Sequence, residues 1–291
     1  MLIADVDHGE VDEIERESRV TKLGRGVDYS GQLSPEGIEA VCAAIADYLP
    51  RIREQEAENV MVIATSAVRD AENGDAFAAE LRERFDLQTK IIDGNEEANL
   101  TYVGTVSGRS GDESLLVIDI GGGSTEMIVG HGSRPTFHTS LQAGVVRHTE
   151  RLLTGDPPTS AELESLAKDI NRLVSSALAD VSLPPIDRAV AVAGTPSSLA
   201  AIDLELEPYD SAAVEGHRLP LTTIQWWLSR LASMPLEERK QVTGLHPDRA
   251  QAIVAGVVIL IEIMRNFDLL EVAVSEHDIL YGCAITAAAS L

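Results

Sequence analysis

The stretch LLVIDIGGGSTEMIVG, residues 115–130, decides how this chain is read. Two apolar runs flank three consecutive glycines, and Asp119 stands at the end of the first run. Both runs are short, rich in β-branched residues and bounded by turn residues, which predicts two strands of a hairpin. A tight hairpin needs fewer glycines than this. Bare backbone adopts positive φ freely and lets a ligand reach main-chain N–H groups with no Cβ in the way. Successive free N–H groups form an anion-binding concavity, so Gly121, Gly122, Gly123 and Ser124 read as a phosphate cradle. It is not a P-loop, because no Lys follows, nor a dinucleotide fingerprint, because a strand and not a helix comes next. A carboxylate would repel phosphate directly. Asp119 beside the glycines therefore points to Mg²⁺, which takes a few carboxylates with waters and phosphate oxygens.

Outward from this stretch, the second half reads as strands at 115–120, 126–130 and 136–141. A helix over 160–179 capped by Thr159 or Ser160 follows, then a buried strand at 188–194 and a turn, TPSS, into another helix. The first half repeats the series. It has strands at 1–6 and 11–20, a helix from Pro35 to Glu56 capped by Ser34, a strand at 59–64 and a turn, TSAVRD. Met1–Val6 matches Glu126–Gly130, so the first half carries no counterpart of LLVIDIGGGST. The expectation is a start assigned downstream of that strand and loop, with a true truncation as the alternative. The division expected is an α/β domain over 1–114 and a second over 115–291, whose last helix packs back on the first.

Gly194 and Thr195, ahead of Pro196, Ser197 and Ser198, form a second cradle candidate, since a helix amino end with hydroxyls attracts phosphate. Ordinary N-capping explains them equally well. Repeat symmetry aims Arg69 of TSAVRD at the same cleft, and a guanidinium suits a phosphoryl group. In NEEANL, residues 95–100, Glu96 and Glu97 fall in the first turn of a helix, where the helix dipole alone accounts for acids. His246, Arg249, His277 and Asp278 lead apolar helices as cleft-facing groups or as caps, and the sequence does not separate the two.

The 47 acids and 23 bases give a net charge of −24, which disfavours nucleic acid and anionic membrane as partners. Two cysteines inside apolar segments argue against a disulfide framework and for a cytoplasmic location. The start lacks the basic flank of a signal peptide. The run AIVAGVVILIEIM, 252–264, is short for a membrane span and contains Glu262, so it predicts a buried helix. No histidine or cysteine spacing suits zinc.

Together, ATSAVRDAEN (64–73), IIDGNEEANL (91–100), LLVIDIGGGSTEMIVG, AGTPSSLAA (193–201) and HPDRAQAIVAGVVIL (246–260) resemble the Ppx/GppA family of exopolyphosphatases and guanosine pentaphosphate phosphatases. The resemblance implies an actin-like, ribonuclease H-like fold of two α/β domains flanking a phosphate-binding cleft. It also implies release of orthophosphate from the end of inorganic polyphosphate, with Mg²⁺ or alternatively Mn²⁺, by a homodimer. Guanosine pentaphosphate is the alternative substrate; a weakly catalytic phosphate or nucleotide sensor is the reading from another class. Matching positions makes Glu97 the catalytic base, against the dipole explanation above. Asp119 and Glu126 become the metal-associated acids, Gly121–Ser124 the phosphate loop, Arg69 a phosphate contact, and Gly194 with Thr195 the second loop. Thr-Pro after Gly194, and His277 with Asp278, depart from the commoner residues of the family and bear on substrate choice. The acidity of the chain favours short polyphosphates, since no extended basic track is present.

Overall fold

The computed structural model describes residues 1–109 and 113–289. The chain runs β1 (Leu2–Asp7), β2 (Glu10–Arg16), α1 (Val27–Ser30), α2 (Pro35–Glu54), β3 (Val62–Ala64), α3 (Ser66–Arg69), α4 (Gly74–Phe85), β4 (Thr89–Ile91) and α5 (Gly94–Val106). It continues through β5 (Ser114–Ile120), β6 (Thr125–His131), β7 (Arg134–Leu141), α6 (Val145–Leu152), α7 (Ser160–Leu178), β8 (Arg188–Val192), α8 (Gly194–Asp203), α9 (Ser211–Val214) and β9 (Arg218–Pro220). The remainder is α10 (Leu221–Ser233), α11 (Leu236–Arg239), a 3₁₀ turn (Pro247–Arg249), α12 (Ile253–Asn266), β10 (Glu271–Val274) and α13 (Ile279–Ala288). Among the described residues, no helix is long and apolar enough to cross a membrane. Two units emerge: residues 111–276 form one, and residues 1–110 with 277–291 form the other.

In the 111–276 unit the strand order is β7-β6-β5-β8-β10-β9. β5, β6 and β7 are an antiparallel meander, and β8 then runs parallel to β5, and β10 to β8. Three antiparallel strands continued by parallel ones through helical crossovers is the ribonuclease H-like arrangement that the motifs implied. β5 is buried along its whole length, as a strand flanked on both edges and covered on both faces must be. α12 is the buried helix anticipated from its apolar run: every residue from Ile253 to Met264 is buried, Glu262 included, whose carboxylate accepts from Arg265 at 2.6 Å. α7 starts in a capping box, with Thr159 as the cap and Glu162 answering it.

The other unit repeats part of this pattern. β1 and β2 pair antiparallel like β6 and β7, and β3 and β4 pair parallel like β8 and β10, but as two separate two-stranded sheets with no described strand in the place of β5. Ser34 caps α2 by accepting the Gly37 N–H at 3.1 Å. The turn expected at TSAVRD is the single helical turn α3, with Arg69 and Asp70 N–H donating back to Thr65 and Ser66 carbonyls. One reading of local structure is corrected. β2 ends at Arg16, short of Val20, since the residues beyond find no partner strand.

α5 crosses α13 through two glycines. A Cβ on Gly104 would lie 2.0 Å from the Asp278 carbonyl oxygen, and one on Gly282 would lie 1.9 Å from that of Leu100. Arg16 donates to the Asp278 carboxylate at 2.7 Å and Tyr281 to Glu13 at 3.0 Å, which fasten α13 to β2. Overpacking of such a contact costs about 1–3 kcal/mol. Gly282→Ala is therefore expected to lower the melting temperature by several degrees in a thermal denaturation scan, while Gly9→Ala, with nothing within 4 Å of its Cβ position, changes it through backbone strain alone.

Candidate active site

Parallel strands deliver their following segments to one end, and ligands gather there. In the smaller-sheet unit, β3 runs into α3 and β4 into α5, so Arg69 and Glu97 leave the same end of one strand pair. Asp93 caps α5 by accepting the N–H groups of Asn95 at 2.9 Å and Glu96 at 2.8 Å. One turn in, Glu97 is 6% exposed, whereas its neighbour Glu96 turns outward to Lys90. Arg69 Nη1 donates to Glu97 Oε2 at 3.0 Å and to the Ile92 carbonyl at 2.7 Å, which fixes the guanidinium against the carboxylate. Burial pushes the Glu97 carboxyl up from its ordinary 4.5, against the opposing pull of Arg69 and the Thr65 hydroxyl. The result is a buried carboxylate whose proton affinity exceeds that of a surface acid, which is the property a general base near neutrality needs.

In the larger unit, the same logic places two loops side by side. β5 and β8 are parallel neighbours with Asp119 opposite Val192, so the segments after Ile120 and after Val192 emerge together. Across β5 and β6, Asp119 stands directly opposite Glu126, and directly opposed residues share a face of the sheet. Asp119 is 8% exposed and Glu126 1%, with Glu126 Oε1 accepting from Ser140 at 2.7 Å. Among the described residues no three His, Cys, Asp or Glu side chains gather as a metal-ligand group, so the protein brings two carboxylates here at most. That donor set fits Mg²⁺, which keeps most of its shell as water and phosphate oxygen.

The glycine loop is held from behind. Val145 N–H donates to the Gly121 carbonyl at 3.0 Å, Val146 N–H to that of Gly122 at 2.9 Å, and Arg147 Nε to that of Gly123 at 2.8 Å. Because peptide N–H and C=O point opposite ways, three carbonyls drawn to the amino end of α6 turn the N–H groups outward. Those of Gly122 and Gly123 have no protein acceptor among the described residues. The expectation of positive φ is corrected: none of Gly121, Gly122 and Gly123 has one. Nor does the interior demand glycine at 122, where a Cβ would meet only a Val146 methyl at 3.6 Å. What bare backbone provides there is open approach to the N–H groups. The steric demand lies at Gly144, where a Cβ would fall 2.2 Å from the Gly122 carbonyl oxygen.

The second loop is the first turn of α8, which begins at Gly194, so TPSS lies inside the helix. Ala193 before it has φ 71 and ψ −167, a conformation costly for any residue but glycine. Thr195 is buried with its hydroxyl against α12, where a Cβ on Gly256 would lie 2.1 Å from it, so it faces the loop through its backbone. Arg249, which sequence alone left undecided, reaches this turn. Its Nη1 donates to the Gly194 carbonyl at 3.1 Å, Ser198 Oγ at 3.2 Å and Ser197 Oγ at 3.3 Å. His246 and Asp278 are caps, accepting N–H groups of Asp248 at 3.3 Å and Leu280 at 2.9 Å. His277 stacks on Tyr281 with ring centroids 4.1 Å apart. The helix α6 that carries the loop was missed from sequence; GVVRHTE has no signal beyond short amphipathic spacing.

A model of the Ppx/GppA phosphatase family matches residues 2–284. Exopolyphosphatase 2 of Mycobacterium tuberculosis is 35% identical to this chain, over 99% of it and 94% of that protein. The crystal structure of the Aquifex aeolicus member of the Ppx/GppA family is similar with a TM-score of 0.83 at 28% identity, covering 99% of this chain and 93% of that one. An exopolyphosphatase-like protein of known structure gives a TM-score of 0.92 at 28% identity, covering 98% and 92%. With its two α/β units, its glycine loop and its buried glutamate, this chain belongs to the Ppx/GppA phosphatase family.

Proposed function

We propose that this protein is an exopolyphosphatase, which hydrolyses the terminal phosphoanhydride of inorganic polyphosphate and releases orthophosphate. The observation that carries the reading is Glu97, a buried carboxylate with raised proton affinity held on Arg69. Phosphoryl transfer to water requires placement and charge neutralisation more than covalent chemistry. Glu97 orients a water and takes its proton as the water oxygen bonds to the terminal phosphorus and the bridging P–O bond breaks. The N–H groups of Gly122 and Gly123 and the amino end of α8 stabilise the charge on the transferred group. Arg69 in the smaller-sheet unit and Arg249 in the larger one are the guanidinium groups suited to phosphate oxygens. Asp119 and Glu126 would hold Mg²⁺, which offsets phosphate charge that this acidic chain does not neutralise by itself. The net charge of −24 favours short chains over long ones.

Glu97→Gln is expected to lower kcat by about 10²–10⁴-fold, the usual worth of a general base, with KM little changed. Phosphate release is measured on short polyphosphate and on guanosine pentaphosphate at equal concentration, and polyphosphate is expected to be the faster substrate. Full turnover by the Gln variant would remove Glu97 from the mechanism.

A pH effect follows from the same residue. A carboxyl whose folded pKa is raised is most compatible with the fold when protonated, so its contribution is complete below the ordinary 4.5 and is lost as pH rises through the raised value. Glu97→Gln should therefore melt no lower than the parent at pH 7, with the difference closing near pH 4, as followed by circular dichroism. The parent's kcat/KM should fall toward acid with a midpoint above 4.5. Gly144→Ala, which drives a methyl into the loop backbone, is expected to raise KM about tenfold or more, as misplacement of a binding element does.

A further inference from the structure

The ring of His148 is fully buried in α6, one turn behind the contacts that hold the glycine loop. Its Nδ1 lies 3.2 Å from the Gly144 carbonyl oxygen, and its Nε2 lies 3.3 Å from Asp169 Oδ2 on α7. Gly144 is the residue whose backbone rests on Gly122 and Gly123, and its carbonyl also accepts the His148 N–H at 2.9 Å. A continuous path thus runs from Asp169, at the solvent edge, through a sealed imidazole to the peptide unit under the phosphate loop. Both partners of the ring can only accept while Asp169 is ionised. A neutral imidazole carries one N–H and satisfies one of them at a time; an imidazolium satisfies both.

We propose that His148 is a positioning residue for the glycine loop, tying the amino end of α6 to Asp169 of α7, with its protonation state deciding whether one tether or both are made. The charged groups bearing on it are Asp169, with its partner Arg172 on α7 at 2.8 Å, and Arg151 on the next turn of α6; α12, which also packs on α6, carries its one buried carboxylate, Glu262, paired with Arg265. Burial moves the imidazole below its ordinary 6.5, while the Gly144 and Asp169 contacts oppose it, so the second tether forms only on the acid side. Acidification then draws the Gly144 carbonyl toward the ring and moves the loop it supports.

The direct test is NMR of the protein labelled with ¹⁵N-glycine and ¹³C-histidine. The amide signals of Gly121, Gly122 and Gly123 are expected to shift with the same midpoint as the His148 ring as pH is lowered from 8 to 5 (about one and a half units to either side of an ordinary histidine). Glycine signals that ignore the His148 titration would overturn the proposal, and this arm needs neither a variant nor any activity. A second arm rests on the exopolyphosphatase reading. His148→Leu, which fills the cavity without a donor, should raise KM for short polyphosphate about tenfold with a smaller change in kcat, as loss of ground-state placement does. His148→Gln keeps a donor toward Asp169 but cannot titrate; it should restore KM while abolishing the acid-side change. A Leu variant with the parent's KM and pH profile would also overturn the proposal. Absence of phosphate release by the parent would instead refute the activity and leave the glycine shifts to decide the role of His148.

Discussion

The feature on which the larger unit depends is the capture of three successive glycine carbonyls by the first turn of α6. A helix amino end offers unpaired N–H groups, and these are commonly turned on an anionic ligand. Here they face protein carbonyls, so the ligand-binding role passes to the opposite edge of the same peptides. The arrangement needs a near approach of two backbones, which explains why glycine is required at 144 more strictly than at 122. It also explains why the loop carries no positive φ: its shape is imposed by partners rather than by left-handed residues.

Electrostatics in this chain is a matter of scarce cations. With 23 bases against 47 acids, three arginines each hold several acceptors at once. Arg69 spans a carbonyl and the Glu97 carboxylate, and Arg249 spans one carbonyl and two hydroxyls. Arg239, 3% exposed, donates to the carbonyls of Leu231, Met234 and Ala250, the last of these beside Arg249. In each case the planar fork holds neutral backbone or hydroxyl oxygens as well as any charged partner. For Glu97 two effects oppose: burial raises its proton affinity and Arg69 lowers it, and burial is the larger of the two. A lone buried carboxyl would be protonated at neutral pH, and one with a full ion-pair partner would be too weak a base.

α5 depends on residues far along the chain. α13 belongs to the same unit as β1–β4, and Gly104 and Gly282 let the two helices approach at backbone contact. Close approach of this kind transmits small displacements, since neither helix has a side chain at the crossing to absorb them. Glu97 sits on the helix so clamped.

How much was legible in the sequence follows from the range of each signal. Period-2 and period-3.6 patterns, caps and glycine runs are local, so β5, β6, the buried α12, the Ser34 cap, the Thr159 cap and the glycine loop itself were readable directly. Tertiary structure decided the rest. Arg249, His246 and Asp278 look alike in sequence, each leading an apolar helix, and only the fold brings the first to the Ser197–Ser198 turn while the other two cap their own segments. The pairing of Arg69 with Glu97 depends on β3 and β4 lying parallel, and the grip of α6 on the loop depends on Gly144 reaching Gly122 across an intervening hairpin. Sequence by itself determined which segments are strands, helices and bare-backbone turns, because those follow from interactions within a few residues. Which backbone meets which was left to tertiary structure, because the shape and hydrogen bonding of surfaces distant in the chain leave no periodic trace in it.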